Sequence, residues 1–152
     1  MLGDEVIVEA DCFADGHDVV ACRLRFRRDD EAQWSEAPME PLGSDRWRGE
    51  FVLPTIGRYR YTVTAWVDGF LSWRHDFARR IDPEDVLVAA RVGAGLVAGA
   101  AARAEGSDRL RLEGWARELG SLEEADRLRD IALDEANALI AERHPDRSFA
   151  TT

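Results

Sequence analysis

The sequence predicts an α+β chain in which a small antiparallel β-sandwich comes first and a small α-helical bundle follows. Three observations carry this. Residues 20 to 77 alternate apolar and polar side chains with a period of two, in runs bounded by turn residues. At Asp82-Pro83 the pattern changes to apolar residues three and four apart. The 152 residues, 45% hydrophobic and 33% charged, suffice for one medium domain or two small ones and are too apolar for a disordered chain.

The strands follow in order. Val20, Cys22, Leu24 and Phe26 share one face, and Ala21, Arg23, Arg25 and Arg27 the other. Trp47, Gly49, Phe51 and Leu53 repeat the pattern against Arg46, Arg48 and Glu50. Tyr59, Tyr61, Val63, Ala65 and Val67 point inward, which turns Arg58, Arg60, Thr62, Thr64 and Trp66 outward. Trp73, His75 and Phe77 alternate with Arg74 and Asp76 as a last strand. Turns are expected at Asp15-Gly16, Asp29-Asp30, Pro41 to Ser44, Pro54 to Gly57 and Asp68-Gly69, the last as a two-residue hairpin.

Asp82 and Pro83 then suit an N-cap and a first helical residue. Val88, Val92, Leu96 and Gly99 follow helical spacing, with a close helix–helix seam expected through Gly95 and Gly99. Ser107 can cap a second helix with the stripe Leu112, Trp115, Ala116 and Leu119, ending at Gly120. Ser121 to Glu124 reads as a capping box for a third helix reaching about Arg143, its stripe Ala125, Leu128, Ala132, Ala136 and Leu139. The boundaries are a sandwich over 1–81, a bundle over 82–145 and the start of a linker over 146–152. Helices this short are unstable alone. Their stripes must be covered by each other, by the sandwich or by a second subunit.

A net charge of −10 repels nucleic acid and anionic lipid, so neither is an expected partner. All 20 basic residues are arginine. The rows Arg23/Arg25/Arg27, Arg46/Arg48 and Arg58/Arg60 read either as a solvated face balanced by acids or as contact for an acidic neighbour. No window approaches about 18 consecutive apolar residues. The longest candidate, Val86 to Ala102, is interrupted by Arg91 and three glycines. Met1 to Asp4 leads into a strand pattern with no signal peptide, so a cytoplasmic chain is expected, with Cys12 and Cys22 as reduced core thiols.

Gly93 to Gly99 superficially matches a dinucleotide loop but lies inside a helical pattern, where packing explains it. His17, His75 and His144 lack partners at ligand spacing, and no serine stands in a nucleophile elbow. No metal, cofactor or catalytic residue is expected. Five tryptophans are many for this length. An outward Trp66, with Trp34, Phe70 and Trp73, can cover a partner surface or stack on a sugar ring.

The segments Gly16 to Ala21, Pro38 to Trp47, Gly57-Arg58-Tyr59 and above all Ala65-Trp66-Val67-Asp68-x-Phe70-x-x-Trp73-Arg74-His75-Asp76 resemble one known region. It is the N-terminal part of the alpha-1,4-glucan:maltose-1-phosphate maltosyltransferases of the amylase superfamily. The resemblance covers most of the β half and extends more loosely through the helices. It implies an immunoglobulin-like sandwich of the fibronectin-III type and a helical bundle, both meeting their counterparts in a homodimer, with a β/α catalytic barrel further along the chain. The sequence stops before any barrel, so no catalytic residue carries over. It also lacks a strand that family members have before Gly3-Asp4-Glu5, which leaves a sheet edge open. The chain is then expected to be a non-catalytic dimerisation and scaffold region. Its parent enzyme would transfer maltosyl units with retention through a carboxylate-linked intermediate. The alternative is an α-glucan-binding module that uses Trp34, Trp66 and Trp73 as a platform. A stand-alone enzyme is disfavoured, because no convergent set of titratable groups is visible.

Overall fold

The computed structural model describes residues 3–14 and 18–152. The expected Asp15-Gly16 turn and His17 lie outside them. Among the described residues five strands, β1 (Glu5–Asp11), β2 (Val20–Arg28), β3 (Ser35–Gly43), β4 (Arg46–Val52) and β5 (Tyr59–Val67), form one antiparallel sheet in the order β1-β4-β3-β2-β5. Among the described residues five helices follow: α1 (Gly69–Phe77), α2 (Pro83–Arg103), α3 (Gly106–Ser121), α4 (Ala125–Ala132) and α5 (Glu135–Glu142). The fold class is α+β. Two compact units result, one holding the strands together with Ser148–Thr152, the other spanning Asp68–Arg147.

In the strand unit, β2, β4 and β5 fall where the alternation placed them. β3 is an addition, since the sequence reading had only a turn near its end. That turn is tighter than expected: Ser44 and Asp45 both take positive φ, 50° and 64°, as the central pair of a two-residue hairpin. β3 changes partner along its length. Ser35 to Pro38 pair with β2, and Met39 to Gly43 pair with β4 across a bulge between Pro41 and Gly43. The handover curls the sheet, so Phe26 on β2 stacks on Phe51 on β4 with centroids 4.3 Å apart. Val8, Cys12, Cys22, Leu24, Met39 and Phe51 form the core of the curl. Gly49 is needed there, because a Cβ would lie 3.0 Å from Met39 Cγ and 3.2 Å from Leu24. Near its end the chain returns to the sheet: the amides of Ala65 and Thr151 each donate to the other's carbonyl at 2.8 Å.

The helical unit begins with a correction. The expected hairpin turn and strand around Trp73, His75 and Phe77 are a helix, α1, which Asp68 caps by accepting from the Leu71 amide at 2.9 Å. Phe70, Trp73 and Phe77 therefore share one face, and His75 is exposed. α2 starts as predicted, with the Asp82 carboxylate accepting from the Glu84 amide at 3.0 Å and Pro83 in the first turn. Its buried face is not the expected one. Val86, Ala89, Ala90, Gly93, Val97, Ala100 and Ala101 face the core, and Val88 and Val92 face out. By length and composition this 21-residue helix would suffice to cross a membrane, contrary to the hydropathy reading; here one face of it builds the core of the unit.

α3 buries Leu112, Trp115 and Leu119 as expected, but Glu105 rather than Ser107 precedes it and it runs one residue past Gly120. The Ser121 hydroxyl donates back to the Arg117 carbonyl at 2.7 Å, so no capping box forms. The single third helix is two, α4 and α5, because Leu133-Asp134 interrupts it and the Asp134 carboxylate accepts from the Asn137 amide at 2.9 Å. The break resets the phase. Leu128 and Ala132 stay buried, Ala136 and Leu139 are exposed, and Ala138, Ile140 and Ala141 replace them in the interior.

Helix carboxyl ends leave carbonyls without intrahelical partners and carry partial negative charge. Here arginines from other helices supply the donors. Arg91 of α2 bonds the carbonyls of Leu119 and Leu122 at 2.8 and 2.9 Å, closing α3. Arg103 of α2 reaches the His144 carbonyl beyond α5 at 2.9 Å. Arg74 of α1 donates to Leu133 beyond α4 at 3.0 Å, and Arg129 of α4 donates to the carbonyls of Arg80 and Ala78 beyond α1. The arginine-only basic content thus has a structural use that composition does not show.

Candidate functional site

The aromatic residues proposed as a platform do not share an open face. Trp66 is 6% exposed, so the expected outward Trp66 is corrected; its neighbour Thr64 is buried too, while Tyr61 and Val67, read as inward, are exposed. β5 buries Thr64 and Trp66 on one face and half-buries Val63 and Ala65 on the other, which defeats a simple alternation. Trp73 is 9% exposed, and its Nε1 donates to the Ala89 carbonyl of α2 at 2.8 Å. Phe70 packs between Trp73 and Trp115, with ring centroids 5.9 and 5.8 Å away. Trp115 is buried and donates to the Ile131 carbonyl at 2.9 Å. Trp34 is half-buried, with the guanidinium carbons of Arg27 and Arg25 at 4.9 and 5.3 Å from its ring centre.

Three arginines of the rows, Arg46, Arg48 and Arg60, have acidic partners close by. Arg46 lies 3.8 Å from Glu9 and 3.6 Å from Asp11, Arg48 lies 3.9 Å from Glu50, and Arg60 pairs with Asp29. Exposed pairs of this kind are worth about 0–1 kcal/mol.

The expected seam at Gly95 and Gly99 does not form within the chain. A Cβ at Gly95 would meet nothing within 4 Å, and one at Gly99 only the Arg103 guanidinium of the same helix at 3.3 Å. The close approach is at Gly93, where an added Cβ would fall 2.1 Å from Trp73 Cζ2. Sequence reasoning missed Gly93 because it assigned Trp73 to a strand. Val88 (67% exposed), Val92 (56%) and Gly95 thus form an open apolar stripe along α2. Beside it runs a groove of about 500 Å³ lined by Ala94, Ala98, Ala102, Arg109 and Glu113, between α2 and α3.

Cys22, Asp108 and Glu142 are perturbed. Burial pushes the Cys22 thiol well above its ordinary range, and a side-chain hydrogen bond with Cys12 adds to this, so Cys22 stays protonated at neutral pH. Both cysteines are free thiols. The Asp108 carboxyl is held low, first by its 2.9 Å hydrogen bond with His144 and then by the Arg143 charge. The Glu142 carboxyl is raised by burial and by the nearby Asp68 charge, with Arg74 opposing. Among the described residues no group of three or more His, Cys, Asp or Glu could hold a metal ion.

These features define an α+β module whose arginines mostly close helix ends or pair with acids, and whose open features are apolar surfaces. A family model described as alpha-1,4-glucan:maltose-1-phosphate maltosyltransferase, domain N/S, matches residues 1–152. The chain belongs to this family. It is 40% identical to the alpha-1,4-glucan:maltose-1-phosphate maltosyltransferase of Myxococcus xanthus over 99% of its length and 24% of the relative's. The proteins of that name from Chlorobaculum tepidum and Rhodospirillum rubrum are 38% and 33% identical over 98% and 99% of the chain. The chain thus spans about a quarter of the length of these curated relatives, 22–24%.

Proposed function

We propose that this chain is the non-catalytic dimerisation and scaffold region of a longer cytoplasmic enzyme that extends α-1,4-glucans from α-maltose 1-phosphate. In this reading the strand unit is a fibronectin-III-like sandwich, the helices are a bundle, and a catalytic barrel lies elsewhere in the protein. The match to the N/S domain over the whole chain supports the parent activity. The observation that carries the dimer is the α2 stripe of Val88, Val92 and Gly95, apolar and uncovered in the single chain. A second copy would remove this stripe from water, and small residues permit close backbone approach.

Light scattering on the purified chain tests the reading. The expected mass is that of two 17.1-kDa chains, falling to one in Val92→Glu with the circular dichroism unchanged. A wild-type monomer at tens of micromolar would end the dimer proposal. Turnover of maltose 1-phosphate by the chain alone would overturn its non-catalytic role.

A further inference from the structure

Two thiols meet across the seam of the curled sheet. In the order β1-β4-β3-β2-β5, Cys12 directly follows β1 at one edge, and Cys22 lies in β2, three strand positions away. In a flat sheet that separation is about 14 Å. The curl brings the two together instead: the side chains of Cys12 and Cys22 are hydrogen-bonded to each other and share the apolar core of the strand unit. Both backbones are held in place. The Cys12 amide donates to the Asp45 carbonyl at 2.8 Å, and Cys22 pairs with Ala65 of β5. Both residues are buried free thiols, and they are the chain's two cysteines. Their access to solvent differs. A groove of about 380 Å³ opens at the seam, lined by Ala10, Cys12, Phe13, Val20, Val63 and Ala65. Cys12 is part of its wall and Cys22 is not.

From this geometry we propose that Cys12 and Cys22 are a modification site, at which a hydroperoxide converts the thiol pair into a disulfide that staples the seam of the sheet. Cys12, at the groove, meets the oxidant. Its sulfur attacks one peroxide oxygen as the thiolate. An S–O bond forms, the O–O bond breaks, and the Cys12 proton leaves with the departing alcohol. The Cys22 sulfur then attacks the Cys12 sulfenic acid. An S–S bond forms, the S–O bond breaks, and the Cys22 proton leaves with hydroxide as water. Two thiols thus give up two electrons and two protons, and the hydroperoxide is reduced to one alcohol and one water. Burial keeps Cys22 protonated, which suits it to the second step, where the leaving hydroxide needs its proton. Sulfurs already in hydrogen-bond contact need only side-chain movement to close to about 2 Å. The link ties the end of β1, which pairs only with β4 among the described residues, to β2. It also closes the ring of residues 12–22, which removes freedom from the unfolded chain. Disulfides in reducing compartments are mostly transient and redox-sensing. In a reducing cytoplasm the pair would rest as thiols and close on oxidative challenge.

The test uses the whole chain, in which these two residues account for every thiol. Excess hydrogen peroxide is added to the native protein and removed with catalase. The protein is then denatured, alkylated and mapped without reduction. The expected product is a Cys12–Cys22 linked peptide from a single chain, and dithiothreitol should restore both thiols. The oxidised chain should melt at least about 5 °C above the reduced one. In Cys22→Ser, Cys12 should stop at a sulfenic acid that dimedone labels. In Cys12→Ser, Cys22 should stay a thiol under the same exposure. A link between two copies, sulfinic or sulfonic acid without a link, or two intact thiols after treatment overturns the proposal. So does a disulfide that lowers the melting temperature, or the reverse pattern in the two variants. If a serine variant fails to fold, the map and the melt of the unsubstituted chain decide.

Discussion

Gly93→Ala and Gly95→Ala, two residues apart on α2, should move stability in opposite directions. In a helix interior alanine is favoured over glycine by about 0.8–1 kcal/mol. In the Val92→Glu monomer nothing opposes that gain at Gly95, since the new methyl meets no atom of its own chain within 4 Å. At Gly93 the methyl would lie 2.1, 2.5 and 2.7 Å from Trp73 Cζ2, Cε2 and Cη2. The indole has little room to move: it lies 4.9 Å from Phe77 and 5.9 Å from Phe70 between centroids, and its Nε1 is tied to Ala89. Overpacking of this kind costs about 1–3 kcal/mol. Pulling the indole N–H off its acceptor adds about 1–3 kcal/mol for an unsatisfied buried donor. Against the propensity gain, Gly93→Ala should lose about 1–5 kcal/mol net. Urea unfolding followed by far-ultraviolet circular dichroism reads both variants. Trp73→Leu in the Gly93→Ala background should recover part of the loss through a coupling of at least about 1 kcal/mol. A Gly93→Ala chain as stable as wild type would show that Trp73 does not rest on the α2 backbone.

Other outcomes follow from the polar contacts. Arg91→Ala should cost about 1–3 kcal/mol by stripping the Leu119 and Leu122 carbonyls of their donors, and Arg91→Lys should recover at most half, because an ammonium lacks the planar fork; chemical denaturation measures both. The lowered Asp108 pKa means its stabilisation is present above the unfolded carboxyl value and lost as pH falls through the folded one. Asp108→Asn should therefore flatten the stability profile below about pH 4, seen as convergence of the mutant and wild-type melting curves in acid. Glu142 has the opposite sign: its contribution is present below its unfolded pKa and lost as pH rises through the raised folded value. Glu142→Gln should be more stable than wild type at neutral pH and no more stable at pH 4, by thermal melts at the two pH values.

Much of the fold could be read from the residues because single-face burial leaves a period in the sequence. β2 and β4 show it cleanly, and the Asp82-Pro83 cap marks the start of α2 because both residues act locally. β3 was hidden by Pro38 and Pro41, which normally exclude a central strand. It survives because each half pairs with a different neighbour. α1 was misread since Trp73, His75 and Phe77 satisfy a period of two, although Phe70, Trp73 and Phe77 satisfy three and four equally well. α2 is apolar around much of its circumference, so periodicity could not say which stripe faced inward. The bridge between Ala65 and Thr151 joins residues too far apart in sequence for any local pattern to reveal it.

The crossed arginine ties make the carboxyl ends of α1 and α4 depend on each other. α1 closes α4 through Arg74, and α4 closes α1 through Arg129. Neither end can fray without stripping the guanidinium that holds the other. Segments of eight residues, such as α4 and α5, would ordinarily open and close independently within the native state. The reciprocal tie opposes that local breathing in α1 and α4, and the amides of these two helices should exchange through one shared opening event rather than through a graded series from the ends inward.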